Sequence, residues 1–219
     1  MRLYSYYRSS TSYRVRIALN IKGLAYKIIP VNLKTGEQHQ QSFVDLNPHA
    51  TLPVLRTGKI QLVQSLAIID WIEKFYPDPP LRPSHGTDTI NVHQVCLELY
   101  YAIATEIHAP NNLSVLTYLR HELNADDAMI AAWYAKWIDK TFAPIEHRLA
   151  SFNWLSADLP FGQPGLFEIV LIPQIYNARR WKTDLSDYPL LRSIDAYANQ
   201  LPAFIAAHPD NQPDAQEAE

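Results

Sequence analysis

The sequence predicts an α/β domain followed by an all-helical domain. Strand-like and helix-like segments alternate before a proline-rich stretch near residue 80, and only helical spacing of apolar residues follows it. Hydrophobic residues make up 47% of the 219 residues, which is enough for substantial packed cores. We place the first domain at residues 1–80 and the second at 87–209, with a flexible tail over the polar residues 210–219.

The first domain opens with a strand, a helix and a second strand, an order that favours a parallel pair with a right-handed crossover. A hairpin with its turn at Thr57-Gly58-Lys59 follows, and Ser65 then caps an amphipathic helix. The expected elements are strands at residues 2–6, 26–31, 51–55 and 60–63 and helices at 10–20, 41–46 and 65–75.

The second domain follows a spacer at residues 77–86 that four prolines make stiff. Every later segment has helical spacing, with breaks expected at Pro110 and Pro144. The segment from Gly165 to Trp181 is apolar nearly all round and should be buried. Helices are expected at residues 87–109, 113–123, 126–150, 165–181, 188–200 and 203–207.

Composition excludes several classes of function. The net charge of −3 disfavours a general nucleic-acid binder. The single cysteine, Cys96, permits neither an internal disulfide nor a cysteine metal cluster, which suits the reducing cytoplasm. The sequence contains no close cluster of His, Asp and Glu of the kind that metal-dependent hydrolysis needs. We expect neither a leader peptide nor a membrane span.

The junction between the first strand and the first helix carries four consecutive hydroxyl residues, Ser9 to Ser12. A helix needs one such side chain as a cap, and its N-terminal N–H groups and dipole also favour an anion. Because four hydroxyls exceed that need, we expect Ser9, Ser10 or Thr11 to face a bound anion such as a thiolate. The alternative is that these residues are only caps.

These hydroxyls continue into Tyr13-Arg14-Val15-Arg16-Ile17-Ala18-Leu19, and the whole run resembles the zeta-class glutathione transferase motif Ser-Ser-Cys-x-Trp-Arg-Val-Arg-Ile-Ala-Leu. The resemblance covers essentially the whole chain and implies a glutathione transferase fold with a thioredoxin-like first domain. Further matches are Asn47-Pro48 with Leu52-Pro53, Gln64-Ser65-Leu66-Ala67-Ile68-Ile69, Asn112-Leu113-Ser114-Val115-Leu116, Pro173-Gln174-Ile175-Tyr176-Asn177-Ala178-Arg179-Arg180, and Asp184-Leu185 with Tyr188-Pro189.

The resemblance implies a glutathione-dependent cis–trans isomerase of maleylacetoacetate or maleylpyruvate, usually a homodimer, in aromatic catabolism. A thiolate adds to the alkene, the new single bond rotates and the thiolate leaves. Asn111-Asn112 followed by Leu113-Ser114 matches the maleylacetoacetate type. The runner-up is a broad glutathione transferase that conjugates small electrophiles or dehalogenates α-haloacids. A third reading, a non-enzymatic interaction protein, fits less well because such relatives commonly lack the hydroxyl run.

By resemblance, Ser9, Ser10 and Thr11 surround the glutathione sulfur, with Ser9 as the preferred donor to the thiolate. A free thiol has a pKa of about 8.5, and a helix N-terminus with hydroxyl donors shifts it towards thiolate. The family often has Cys where this chain has Thr11. A threonine keeps a hydroxyl but cannot form a mixed disulfide, so cysteine-linked inactivation is not expected.

The resemblance also assigns residues to glutathione. A cis Leu52-Pro53 bond would expose the main chain of Leu52 to the cysteinyl part of the ligand, and the alternative is an ordinary edge proline. Gln64 and Ser65 begin a helix that suits the γ-glutamyl carboxylate, although Ser65 alone could be a simple cap. Gln38, or His39 in its place, aligns with a position near the glycyl carboxylate, and the alternative is a solvated loop.

The implied substrate carries two carboxylates, which arginines bind through paired planar donors. Arg8 and Arg180 match the arginines that the family uses for substrate anions, and His108 aligns with a residue lining the substrate pocket. Surface salt bridges and a structural histidine are the alternatives. Arg179 is expected to be the more exposed of the Arg179-Arg180 pair, since Arg180 ends a largely apolar helix.

The start of the buried helix departs from the family pattern. The superfamily usually places Ser or Thr there with Asp three residues on, whereas this chain has Gly165 and Glu168. Phe167 also occupies a position where a small residue is usual. We therefore predict a somewhat weaker helix start with an unchanged fold.

Overall fold

The computed structural model describes residues 1–83, 91–152, 154 and 158–218. These residues form two compact units, one of residues 1–81 with 199–219 and one of residues 82–198. The structure thus groups the end of the chain with the first unit, whereas the sequence placed it in the helical domain and in a tail.

The first unit is built on a four-stranded sheet in the order β2-β1-β3-β4. Strands β1 and β2 are parallel, with Leu3 opposite Ile28, and β3 runs antiparallel to both β1 and β4. The predicted α/β domain is confirmed. Its elements are β1 (Arg2–Ser5), α1 (Ser10–Ile21), β2 (Lys27–Pro30), α2 (Gln41–Val44), β3 (Val54–Thr57), β4 (Ile60–Val63) and α3 (Ser65–Phe75).

Helix α1 is the most deeply buried element of the first unit. It buries apolar residues such as Ile17 and Leu19 together with two arginines, Arg14 and Arg16. The structure satisfies the guanidinium of Arg16 with main-chain carbonyls and the hydroxyl of Ser5. A buried charge of this kind needs such partners, since an unpaired one would be costly.

The C-terminal segment packs on the first unit. It forms helix α9 (Pro202–Ala207) and two 3₁₀ turns, Pro209–Asn211 and Pro213–Ala218. The Oδ2 atom of Asp214 accepts from the Tyr7 N–H at 2.8 Å, and the Asn20 side chain donates to the Ala203 carbonyl at 3.0 Å. The segment that the sequence suggests is a flexible tail, residues 210–219, therefore includes Asp214, which binds the main chain of Tyr7.

The second unit is helical, as predicted. Helix α6 runs through Pro144, so the expected break there is wrong: proline removes one N–H donor, and packing of the flanking turns retains the helix. Residues 87–90 of the first predicted helix lie outside the described residues. Its visible part ends in a π-helical turn, Ile103–Ile107. The helices are α4 (Val92–Ala102), α5 (Leu113–His121), α6 (Asp127–Ala150), α7 (Leu166–Arg180) and α8 (Pro189–Ala198).

The first part of the predicted spacer is held on the first unit by Lys22. Its buried ammonium binds the Glu73 carboxylate at 2.6 Å and the carbonyls of Pro77 and Pro79. The spacer residues 84–86 lie outside the described residues. Within the described part of the chain, no helix combines the length and apolar character needed to cross a membrane.

Candidate active site

The hydroxyl run at the start of α1 forms a small hydrogen-bonded cluster. Ser9 caps the helix, because its Oγ accepts from the Ser12 N–H at 3.2 Å. The Ser9 and Thr11 hydroxyls lie 3.0 Å apart, and the Thr11 hydroxyl donates to the Leu52 carbonyl at 3.0 Å. Ser9 and Thr11 are half-buried and Ser10 is buried. The structure therefore brings Ser9, Thr11 and Leu52 together.

The direction of these hydrogen bonds follows from the groups involved. A carbonyl can only accept, so the single Thr11 proton is used on Leu52. In the contact between the two hydroxyls, Ser9 is then the donor and Thr11 the acceptor. The Leu52-Pro53 bond is cis, which settles the isomer that the sequence left open.

The start of α3 is linked to the same face of α1. Gln64 precedes the helix with a φ of 71° and is exposed, and Ser65 is buried as the first helical residue. The Ser65 hydroxyl accepts from Arg14 Nη1 at 3.5 Å. Thr11 and Arg14 are three residues apart on α1, so one helix face contacts both Leu52 and Ser65. Sequence reasoning missed Arg14, although a charged residue on an apolar helix was a usable sign.

Gln38 lies in a 3₁₀ turn, Glu37–His39, and is 6% exposed. Its Oε1 atom has no hydrogen-bond partner within the described residues, whereas His39 is exposed. A buried amide oxygen without a partner is costly, which favours Gln38 over His39 as a ligand-binding group. Gln38 is not among the residues that the Thr11 and Arg14 hydrogen bonds bring together.

Arg8 belongs to the first unit and lies directly before the hydroxyl cluster. It is half-buried, and its guanidinium lies over the Tyr7 ring at 5.0 Å from the centroid. A cation–π contact of this kind orients the side chain while its N–H donors remain able to bind an anion. Arg8 thus has the position that an anion-binding residue beside Ser9 would need.

The second unit carries the other expected substrate residues. Arg180 is exposed, in contrast to the buried setting that the apolar helix suggested, and its Nη1 contacts Asn177 Oδ1 at 3.2 Å. Arg179 is also exposed but binds the buried carboxylate of Asp195 at 2.6 Å. Within the described residues, Arg180 is therefore the member of the pair without an ion pair. His108 follows the π-helical turn and is half-buried.

Asn111 is a candidate that sequence reasoning did not select. It is 9% exposed, and neither polar atom of its side chain has a partner within the described residues. Its neighbour Asn112 caps α5 by accepting from the Ser114 N–H. Only one asparagine of the Asn111-Asn112 pair is needed as a cap, and this excess could have marked Asn111 as a site residue.

The protein's own thiol is not suited to supply a thiolate. Cys96 is buried in the second unit, and burial, together with the nearby Glu168 carboxylate, raises its pKa to about 12. A reactive cysteine needs an exposed and electropositive setting that lowers its pKa. A thiolate at the hydroxyl cluster must therefore come from a bound molecule.

Comparison with known proteins identifies the family. The model of the glutathione S-transferase N-terminal domain matches residues 3–80. A protein named probable maleylacetoacetate isomerase from Vibrio cholerae is 44% identical over 216 residues, covering 97% of each chain. The holo structure of a maleylpyruvate isomerase, described as a bacterial zeta-class glutathione S-transferase, is 41% identical with a TM-score of 0.93, covering 98% of this chain and 100% of that one.

A further solved structure is a maleylacetoacetate isomerase from Anaeromyxobacter dehalogenans with bound dicarboxyethyl glutathione and citrate. It is 34% identical with a TM-score of 0.82, covering 98% of this chain and 93% of that one. The chain belongs to the glutathione transferase superfamily. Within it, the chain is a zeta-class enzyme with glutathione as its cofactor, which confirms the predicted fold and family.

Proposed function

We propose that the protein is a glutathione-dependent cis–trans isomerase of maleylacetoacetate, with maleylpyruvate as the second substrate to test. The proposal depends chiefly on one observation: the half-buried hydroxyls of Ser9 and Thr11 lie at the start of α1, and Thr11 binds the Leu52 carbonyl. The choice of maleylacetoacetate is supported by Leu113-Ser114 after Asn112, the pattern of that type.

Several residues of the first unit fit the cofactor. Ser65 would bind the γ-glutamyl carboxylate through its hydroxyl and the N-terminus of α3. Arg14 donates a hydrogen bond to that hydroxyl. The main chain of Leu52 would pair with the cysteinyl part as an added strand does. The unpartnered Oε1 of Gln38 marks a buried amide whose hydrogen bonding a glycyl group would complete.

Bound glutathione would supply a thiolate, and its reversible addition to the alkene would permit the cis–trans change. The Ser9 hydroxyl would donate the hydrogen bond that stabilises the negative charge of the thiolate. Its oxygen already accepts from Ser12 N–H, and its proton points to Thr11 in the free protein. A hydrogen bond to an anion is stronger than one to a neutral hydroxyl, so this proton would turn to the sulfur. The dipole of α1 would also lower the pKa of the glutathione thiol, as the Ser9 hydrogen bond would.

Arg8 and Arg180 would bind the two carboxylates of the substrate. Arg8 is oriented by the Tyr7 ring, and Arg180 has no ion pair within the described residues. His108 and Asn111 would contribute polar contacts in the second unit, with Asn111 favoured by its unpartnered amide. Arginine suits this role because its planar donors match a carboxylate.

The test is a timed assay of each cis substrate with and without glutathione. Isomerisation should require glutathione, and Arg8→Ala and Arg180→Ala should each reduce kcat/KM roughly 10- to 150-fold, the loss of one charged hydrogen-bonded contact. Arg120→Ala is the control, since it removes a half-buried arginine that is paired with Asp127. Full dicarboxylate rates in both variants, with high activity on α-haloacids, would instead establish the broad transferase.

We also propose that the enzyme acts as a homodimer in the cytoplasm. Membership of the glutathione transferase superfamily supports the dimer, and the single buried thiol of Cys96 is compatible with a reducing compartment. Sedimentation equilibrium should give twice the chain mass of 25.1 kDa. A mass of one chain at micromolar concentration would contradict the dimer.

A further inference from the structure

We propose that the C-terminal strap, residues 209–218, positions the turn that carries Arg8 and Ser9, and that Asp214 is the positioning residue. The strap overlaps the expected tail, residues 210–219, and the structure groups it with the first unit. The inference rests on the proposed roles of Arg8 and Ser9. It adds a residue far away in sequence whose carboxylate acts on them through the main chain.

The turn in question joins β1 to α1. It is closed by a hydrogen bond from the Ser9 N–H to the Tyr6 carbonyl at 2.9 Å. Inside it, the Tyr7 N–H points away from the turn and donates to Asp214 Oδ2 at 2.8 Å. Asp214 therefore binds the main chain of the residue directly before Arg8.

Arg16 of α1 binds the main-chain carbonyls of the same turn. Its Nη2 donates to the Tyr7 carbonyl at 3.0 Å, and its Nη1 lies 3.5 Å from the Tyr6 carbonyl. Its Nε donates to the Ala207 carbonyl at 2.9 Å, at the end of α9 where the strap begins. One guanidinium thus binds both the turn and the base of the strap, and one carboxylate of the strap binds the turn.

The burial of these charged groups favours a positioning role. Arg16 is fully buried and Asp214 is 8% exposed, so both hydrogen bonds to Tyr7 are charge-assisted and shielded from water. The second oxygen of Asp214, Oδ1, has no partner within the described residues. A buried carboxylate with only one oxygen hydrogen-bonded adds little to stability, because that hydrogen bonding does not fully offset the free energy of its desolvation.

The strap also packs on an apolar cluster of the first unit. Ala215 packs against the apolar cluster that contains Tyr7 and Leu52, and the Leu52 carbonyl accepts the Thr11 hydrogen bond. Arg8 and Ser9 follow Tyr7 in the turn, and Leu52 belongs to the same apolar cluster as Tyr7. A small shift of the turn would move the Ser9 hydroxyl relative to Thr11, and misplacement of such a donor is costly to turnover.

The experiment compares Asp214→Ala, Asp214→Asn and the control Asp210→Ala. Alanine leaves the Tyr7 N–H without an acceptor, whereas asparagine keeps an acceptor oxygen and loses the charge. Asp210 is on the same strap, with a 72% exposed side chain 3.7 Å from His208, and among the described residues no hydrogen bond joins it to the turn. We expect kcat to fall roughly 5- to 100-fold in Asp214→Ala, less in Asp214→Asn and not in Asp210→Ala. Glutathione affinity should change less than kcat.

Hydrogen exchange of the free protein provides a readout that does not depend on any activity. In Asp214→Ala, the amides of Tyr7 and Ser9 should exchange at least about tenfold faster, while amides of the β3–β4 hairpin keep their rates. Ultraviolet absorbance of the bound thiolate should show a raised pKa of the glutathione sulfur. Unchanged exchange at Tyr7, uniformly faster exchange across the unit, or an equal kcat loss in Asp210→Ala would overturn the proposal.

These readouts also separate this proposal from the proposed function. If the wild type isomerises neither substrate, the proposed function fails, and exchange and thiolate titration still decide the role of the strap. If Asp214→Ala does not fold, Asp214→Asn decides instead: faster Tyr7 exchange with a lowered kcat supports the proposal. Wild-type exchange and kcat in a folded Asp214→Asn would overturn it.

Discussion

The N-termini of α1 and α7 provide hydrogen-bond acceptors for main-chain N–H groups in different ways. In α1, the Ser9 hydroxyl caps the helix, and the hydroxyl of the half-buried Thr11 lies beside it. In α7, the chain closes its own terminus: the Glu168 carboxylate accepts from the Gly165 N–H at 2.9 Å in a fully buried setting. Glycine has no side chain, so only this half of a capping box is present.

The difference teaches when a helix terminus becomes a ligand site. Both termini have the same dipole and the same unpaired N–H groups. At α7 the Gly165 N–H is bound by the buried carboxylate of Glu168, so this terminus serves the fold. At α1 the cap leaves Thr11 and Ser9 reachable, so the terminus can serve a ligand. The following predictions test this contrast by changing each terminus separately.

The largest effect should come from Ser9→Ala. Removing the donor to the thiolate should lower kcat roughly 100- to 1000-fold, as loss of one transition-state hydrogen bond does, with a smaller change in glutathione affinity. Steady-state kinetics and calorimetry measure the two quantities. Ser12→Ala is the matched control, because the buried Ser12 hydroxyl has no partner within the described residues. Equal losses in both variants would remove the role assigned to Ser9.

At α7 the matching change should affect stability and not catalysis. Glu168→Ala leaves the buried Gly165 N–H without its acceptor, which should cost about 1–3 kcal/mol in the free energy of unfolding. Urea denaturation measures this loss, and kcat per folded molecule should be unchanged. Glu168→Asp, which keeps a carboxylate at the third helical position, should lose less. A fall in kcat without a fall in stability would contradict the contrast.

The same carboxylate should make stability depend on pH. Burial raises the pKa of Glu168 to about 7 from its ordinary value of 4.5. The folded state therefore keeps a proton that the unfolded state releases, so this contribution to stability is present below about pH 4.5 and declines up to about pH 7. The advantage of wild type over Glu168→Gln in unfolding free energy should shrink as pH rises through this window. A constant difference would show that Glu168 titrates normally.

The smallest effect should come from the hydroxyl that bridges to Leu52. Thr11→Val keeps the shape of the side chain and removes the hydrogen bond to the Leu52 carbonyl, so KM for glutathione should rise roughly 2- to 10-fold. Thr11→Ser retains the hydroxyl and should stay near the wild type. An unchanged KM in Thr11→Val would mean that this bridge is not needed to hold Leu52 for the ligand.

Most helices and strands could be predicted because their patterns are local. The apolar spacing of α1 and α6 and the turn at Thr57-Gly58-Lys59 each depend on residues close in sequence. The break expected at Pro144 was wrong because a proline costs one hydrogen bond, which packing of a long helix outweighs. The hydrogen bond between the Tyr7 N–H and Asp214 could not be predicted, because composition does not specify contacts between residues far apart in the sequence.

The sequence by itself determined the fold class, the family and the excess of hydroxyls at the start of α1, because each depends on residues that are close together in the sequence. Only the tertiary structure decided that Thr11 binds Leu52, that Arg14 contacts Ser65, and that Arg179 binds the buried carboxylate of Asp195. These contacts join residues far apart in the chain. Their existence depends on how whole elements pack, which no local pattern of residue types specifies.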